Sequence, residues 1–235
     1  MELLPYLAGL TRNRVQCLDD FNIPLLLSHT VTEIRGHQRV EAVKIAAVDD
    51  KRQIVPGTER VIECDTLLLS VGLIPENELT RAAGIAIDRV TNGPSVNQYM
   101  QTSLPSVFAC GNVVHVNDLV DNVSRESEQT GRSAAKFAAG VLPKAREIGC
   151  KAAAGIRYVV PQRIALSGED EELTLYFRVL APGAASTLTA GQGGKALTSR
   201  KVRRVSPGEM EHLNLKSSAL ADADLEVALA AGEEK

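Results

Sequence analysis

No apolar run in these 235 residues approaches the ~20 that a membrane helix needs. The amino terminus, Met1-Glu2-Leu3-Leu4-Pro5, has neither the basic region nor the small-residue cleavage site of a secretory signal. Both absences set the expectation of a cytoplasmic protein with no membrane span. The four cysteines, Cys17, Cys64, Cys110 and Cys150, are far apart and form no Cys-x-x-Cys pair. Zinc ligation and a dithiol redox centre therefore lack support, no metal site is expected, and the thiols read as reduced and buried. A net charge of -3 excludes the concentrated basic face of a nucleic-acid binder. The one short basic run, Arg200-Lys201-Val202-Arg203-Arg204, alternates with β-type residues and suits the solvated edge of a strand.

What remains is an ordinary globular composition, 44% hydrophobic and 23% charged. Residues 6–22 read as a helix with Leu7, Leu10, Val15 and Leu18 on a buried face. Residues 23–27, Ile-Pro-Leu-Leu-Leu, suit a buried parallel strand. Strands follow at 30–34, at 40–48 with one face exposed, and at 61–64. The nearly all-apolar run 66–72 ends in Gly72 and suits a central strand covered on both faces. A short helix is expected over 76–84, a strand over 106–112, and a long helix from Asn117 or Asp118, one of which caps it, to Gly140. That helix is rich in small residues (Ser124, Gly131, Ser133, Ala134, Ala135, Ala138, Ala139), which permits close approach to a sheet. Beyond Gly155 short β runs and turns form a small all-β module, with a hairpin turn at Gly191-Gln192-Gly193-Gly194. The Ala-, Asp- and Glu-rich stretch 217–235 reads as a frayed helix or flexible tail.

Two motifs stand in a telling order. The first is the apolar strand ending Val71-Gly72-Leu73-Ile74-Pro75-Glu76-Asn77. The second, about thirty residues on, runs from Thr102-Ser103 through Phe108-Ala109-Cys110-Gly111-Asn112 into the small-residue helix. This succession resembles the pyridine nucleotide-disulfide oxidoreductase family over roughly residues 1–140, in a carboxy-terminal portion only. The Cys-Gly-Asn turn is most similar to a subgroup without a redox disulfide, found beside glycerol-3-phosphate dehydrogenases. The resemblance implies an α/β fold: part of a two-dinucleotide-binding-domain, Rossmann-like flavoprotein, followed by the small all-β module. It places the end of a nicotinamide domain at 1–74 and the returning part of an FAD domain at 75–150. The β module is then 151–215 and the tail 216–235.

The cofactors implied are FAD and NAD(P). Gly111 lets backbone approach a ligand, and Asn112, followed by Val113, stands where most of the family has aspartate to bond the flavin's ribityl hydroxyls. Asparagine keeps an acceptor oxygen without the charge. The helix that follows would aim its N–H groups at the flavin's pyrimidine oxygen. Gly72 closes the nicotinamide strand. Glu2 stands either as an exposed terminal glutamate or as the acid that binds the adenosine ribose and favours NAD over NADP. His115 is a candidate proton donor or substrate contact, or an ordinary polar residue leading into the helix. Cys110 reads as a small core residue.

Neither glycine fingerprint for a pyrophosphate is present: Gly191-Gln192-Gly193-Gly194 lies between β runs with no helix after it. The expectation is an enzyme part that passes hydride between nicotinamide and flavin and is incompetent alone. The alternative is a non-catalytic remnant or a subunit completed by another flavoprotein or dehydrogenase chain. Homo-oligomerisation stays open.

Overall fold

Residues 29–63 fold as an antiparallel meander because three short β-prone runs are separated by turns at Gly36 and Pro56-Gly57. In this computed structural model, which describes residues 1–7 and 9–231, the strands are β1 (His29–Arg35), β2 (Ala42–Ala47) and β3 (Arg60–Glu63), in that order in the sheet. His29 faces Ala47 across the first pair and Ala42 faces Glu63 across the second. The middle strand buries Ala42, Val43, Ile45 and Ala46, so both of its faces are covered where one was expected to be exposed. These strands belong to a first compact unit, Met1–Gly72.

Three further expectations fail in that unit. The helix expected over 6–22 is only α1 (Thr11–Cys17) with a 3₁₀ turn, Asp19–Phe21, ended by Asn22 in the left-handed region at φ 54°. Its N-cap is Leu10, which has no side-chain acceptor to offer, and Val15 is exposed rather than buried. The apolar run 23–27 is not a strand. It meets residues 2–4 through a few irregular bonds, among them Glu2 N–H to the Leu26 carbonyl at 2.8 Å and Ser28 N–H to the Leu4 carbonyl at 3.0 Å. Most consequential, the run 66–72 forms no strand either. Leu68 and Val71 are 89% and 90% exposed, and Leu73 and Ile74 just beyond are exposed as well. A strand of the parallel type needs neighbours on both edges and cover on both faces. The described residues give this run no backbone hydrogen bond at all.

The second unit, Leu73–Lys235, holds α2 (Glu78–Ala82), α3 (Val120–Ala138) and all the remaining strands. These are β4 (Glu147–Ala152), β5 (Ile156–Val160), β6 (Arg163–Ala165), β7 (Glu172–Val179), β8 (Ser186–Gln192), β9 (Lys195–Val202), β10 (Glu211–Lys216) and β11 (Leu225–Ala231). They form a three-stranded sheet, β10-β7-β5, and a five-stranded one, β6-β4-β11-β8-β9. One aliphatic core lies between them, with Leu173, Leu175, Phe177 and Val179 of β7 facing Ile148, Leu188, Leu225 and Val227 of the larger sheet. Alternation along β7 turns Tyr176 and Arg178 to the opposite face, where residues 96–116 cover the sheet.

The Gly-Gly hairpin is found, Gln192 facing Lys195 across a turn of Gly193 and Gly194, both at positive φ. The flexible tail is not. Residues 225–231 are β11, parallel to β4 and antiparallel to β8, with Leu225 and Val227 fully buried. Leu225, Val227 and Leu229 alternate with short or charged residues, and that period-2 pattern outweighs the alanine-rich composition. Residues 232–235 of the expected tail lie outside the described residues. The expected border at 150/151 also falls inside β4, whose strand partners are β6 and β11. Residues 75–150 and the β module are one unit. The strand expected over 106–112 is reduced to a single bridge, Gln101 to Phe108, and a 3₁₀ turn.

Candidate functional site

Gly111 begins the 3₁₀ turn Gly111–Val113, and its conformation explains the residue type. Its φ is +71°, and a Cβ there would lie 3.2 Å from Val123 Cγ1 on α3. The Gly111 carbonyl accepts the Val114 N–H at 2.9 Å and the His115 N–H at 3.3 Å, which closes the turn. Val114 is fully buried against Val96, Met100, Tyr158 and Val160. The apolar lock beneath the turn thus leaves Asn112 exposed above it.

Asn112 Oδ1 accepts the Asn117 N–H at 3.0 Å. A backbone N–H can only donate, so the amide's orientation is fixed and its NH₂ group points away from that bond. No acceptor among the described residues meets the NH₂. Asn112 therefore offers a ligand donors first, and an acceptor oxygen already shared with the loop. Asn117 in turn gives its own amide to the His115 carbonyl at 3.2 Å.

His115 is wholly buried. Its Nε2 lies 2.5 Å from Glu126 Oε1, and Glu126 Oε2 accepts the Gly111 N–H at 3.0 Å. The ring packs edge-on to Tyr158 at 5.9 Å and tilted to Tyr176 at 6.4 Å. Arg178 braces the same wall, donating to the Val116 carbonyl, the Pro207 carbonyl and the Tyr158 hydroxyl. Burial holds the Tyr158 phenol above its ordinary value, opposed by the Arg178 charge. With no exposure, His115 is a poor direct contact for substrate; it supports the turn from behind.

Asn77, the last residue of the first motif, joins that motif to the second. Its buried Nδ2 donates to the Val113 carbonyl at 2.8 Å and the Asn92 carbonyl at 2.9 Å. Beside it Gly93 passes so close to Val114 that a Cβ would sit 1.9 Å from the carbonyl oxygen. Asn77, at the end of the first motif and within the second unit, is thus hydrogen-bonded to the Gly-Asn turn. Neither Asn117 nor Asp118 caps α3: the N-cap is Leu119, and Asp118 instead accepts the Met210 N–H at 2.9 Å.

Gly111, Asn112, Val113 and His115 therefore form one constellation. Gly72, at φ +105°, and Glu2 belong to the first unit. The Glu2 carboxylate accepts the Leu4 N–H at 3.0 Å, which makes it a local backbone brace. Sequence reasoning gave no role to Asn77, Glu126, Tyr158 or Arg178. Only Asn77 carried a signal, through its place in the motif.

The small-residue face of α3 is open: Ser124, Gly131, Ala135 and Ala138 are exposed, and a Cβ on Gly131 would meet nothing within 4 Å. A groove of about 520 Å³ lies on another side of α3, lined by Arg125, Gln129, Lys136, Tyr99 and Tyr176; it does not reach Gly111 or Asn112. Among the described residues no cluster of His, Cys, Asp and Glu could hold a metal ion, and no helix is long and apolar enough to cross a membrane.

Comparison with known proteins gives this constellation a context. Residues 11–136 match the family model described as pyridine nucleotide-disulphide oxidoreductase. The nitric oxide reductase FlRd-NAD(+) reductase of Salmonella agona (strain SL483) is 31% identical over 96 residues, 40% of this chain and 25% of the relative. The protein of that name from Salmonella schwarzengrund (strain CVM19633) is 40% identical over the same length and shares. The chain thus spans about a quarter of the length of these curated relatives. Among solved structures, T. acidophilum thioredoxin reductase aligns with a TM-score of 0.51 at 28% identity, covering 59% of this chain and 43% of that one. The mixed α/β fold and the two ordered motifs agree with these matches, and the chain belongs to the pyridine nucleotide-disulphide oxidoreductase family.

Proposed function

We propose that this chain is the carboxy-terminal part of an FAD- and NAD(P)-dependent oxidoreductase that passes hydride between nicotinamide and flavin, and that it is incompetent alone. The observation that carries the reading is the Gly111–Asn117 turn. A buried glycine at positive φ and an exposed asparagine with an unmatched NH₂ stand beside a helix whose small-residue face is open. These features fit one end of a flavin. Gly111 lets the turn close tightly against Val123 of α3, Asn112 offers N–H donors to a ribityl oxygen above it, and Ser124, Gly131 and Ala135 add no bulk of their own to the exposed face of α3. Nothing among the described residues offers a glycine-rich loop opening a helix for either pyrophosphate. Flavin, when bound, supplies the hydride-accepting chemistry, and the protein's part is orientation and electrostatics.

A specific observation also favours a second reading, a subunit completed by another flavoprotein or dehydrogenase chain. The unpaired apolar run around Leu68, Leu69 and Val71 is a template for an added strand. The test is the visible spectrum of the purified chain. A bound yellow chromophore supports a self-sufficient flavoprotein. A colourless chain that acquires FAD only when mixed with a polypeptide carrying the glycine-rich loops supports the subunit. If neither occurs and Asn112→Ala changes nothing, the flavin assignment of the turn fails.

A further inference from the structure

Glu126 is a carboxylate on the second turn of α3 with 1% of its side chain exposed, and such a group needs donors to be tolerated. It has two, the Gly111 N–H at 3.0 Å and His115 Nε2 at 2.5 Å. Both belong to the turn, which α3 also touches through the apolar Val123 and a long Ser127–Cys110 contact of 3.5 Å. We infer that Glu126 and His115 are a positioning pair: the carboxylate fixes the Gly111 amide, and with it the place of Asn112 beside the start of α3. The functional meaning of the pair rests on the flavin reading of the turn; its geometry does not.

The pair also fixes a tautomer. His115 Nδ1 is buried with no partner among the described residues. A proton on Nε2 makes the ring a donor to Glu126 and strands only a lone pair at Nδ1. The other tautomer would strand a buried N–H, which is the rarer and costlier arrangement.

The experiment uses the whole chain, as wild type, Glu126→Ala and Glu126→Gln, with amide hydrogen exchange and ¹⁵N spectra of the histidine rings. In Glu126→Ala the Gly111 amide is expected to exchange roughly tenfold to a hundredfold faster, the loss of one charge-assisted bond. Amides of β7 and β11 keep their wild-type rates. In Glu126→Gln the single remaining carbonyl oxygen can accept from only one of the two donors. Either Gly111 protection falls, or it is retained and the His115 proton moves from Nε2 to Nδ1. Wild-type exchange at Gly111 in the alanine variant, or wild-type protection together with an unchanged tautomer in the glutamine variant, overturns the inference. Loss of protection in β7 and β11 as well overturns it too, since the pair would then be a general prop of the fold. An FAD titration of the chain mixed with a polypeptide carrying the glycine-rich loops separates the two readings: no flavin binding there, with the exchange results as expected, sinks the flavin turn and leaves the pair standing.

Discussion

Replacing Leu225 by alanine tests the most unexpected part of the fold. The side chain is fully buried in the core between the two sheets of the second unit, on a strand flanked by β4 and β8. Truncating a leucine in such a place costs about 2–5 kcal/mol, the lost transfer energy plus the cavity left behind. The same change in a solvated tail stays within about 0.5 kcal/mol. With a urea dependence of about 1–3 kcal/mol per molar, the midpoint should fall by about 0.7 M or more. Tyrosine emission is a suitable probe because the chain has no tryptophan, and Tyr99, Tyr158 and Tyr176 are all buried in this unit. A midpoint shift below about 0.3 M would mean that residues 225–231 contribute nothing to the core, and the placement of β11 would be wrong.

Gly111→Ala should lower stability by about 1–2 kcal/mol through its positive φ, plus a further loss from the Val123 contact at 3.2 Å. Gly84→Ala, at φ +69° in open space, is the control, and equal urea midpoints for the two would remove the Val123 term. Burial pushes the Cys150 thiol up to about 12, whereas Cys17 is exposed. Ellman's reagent at mildly alkaline pH should therefore label Cys17 in the native chain and Cys150 only after denaturant is added. Burial, and then the Arg200 charge, hold His212 below its ordinary 6.5. The folded state then binds fewer protons than the unfolded one. The His212 contribution is complete above the ordinary value and is lost as pH falls below it. His212→Gln should flatten the stability profile over roughly pH 7 to 5, and an unchanged slope in urea titrations would contradict this.

The sequence was most legible where the pattern and its partners lie close together. The meander β1-β2-β3 and the Gly193-Gly194 hairpin are local, and alternation with turn residues locates them. The run 66–72 has the composition of a buried central strand, yet pairing is a property of neighbours that composition does not supply, and Leu68 and Val71 stand in solvent. The strand at 225–231 was hidden for the opposite reason. Its alanines and acids resemble a disordered tail, and only Leu225, Val227 and Leu229 carry the period that betrays it. At the site, the motif residues Gly111 and Asn112 could be read directly. Glu126 could not, because its role depends on a helix folding back so that its carboxylate reaches an amide fifteen residues earlier. Arg178 lies further still, 62 residues from the Val116 carbonyl that it holds.

The position of β11 also constrains the order of events during synthesis. Its partners, β4 and β8, are separated from it by dozens of residues, and no strand pair joins them directly. Until residue 231 has been made, the larger sheet exists as two halves, β6-β4 and β8-β9, each with an open edge. Those edges are the kind that recruit strands from neighbouring chains. A chain cut short before β11 should therefore be more prone to aggregate than one that carries it, since that strand acts as a keystone whose arrival covers both edges.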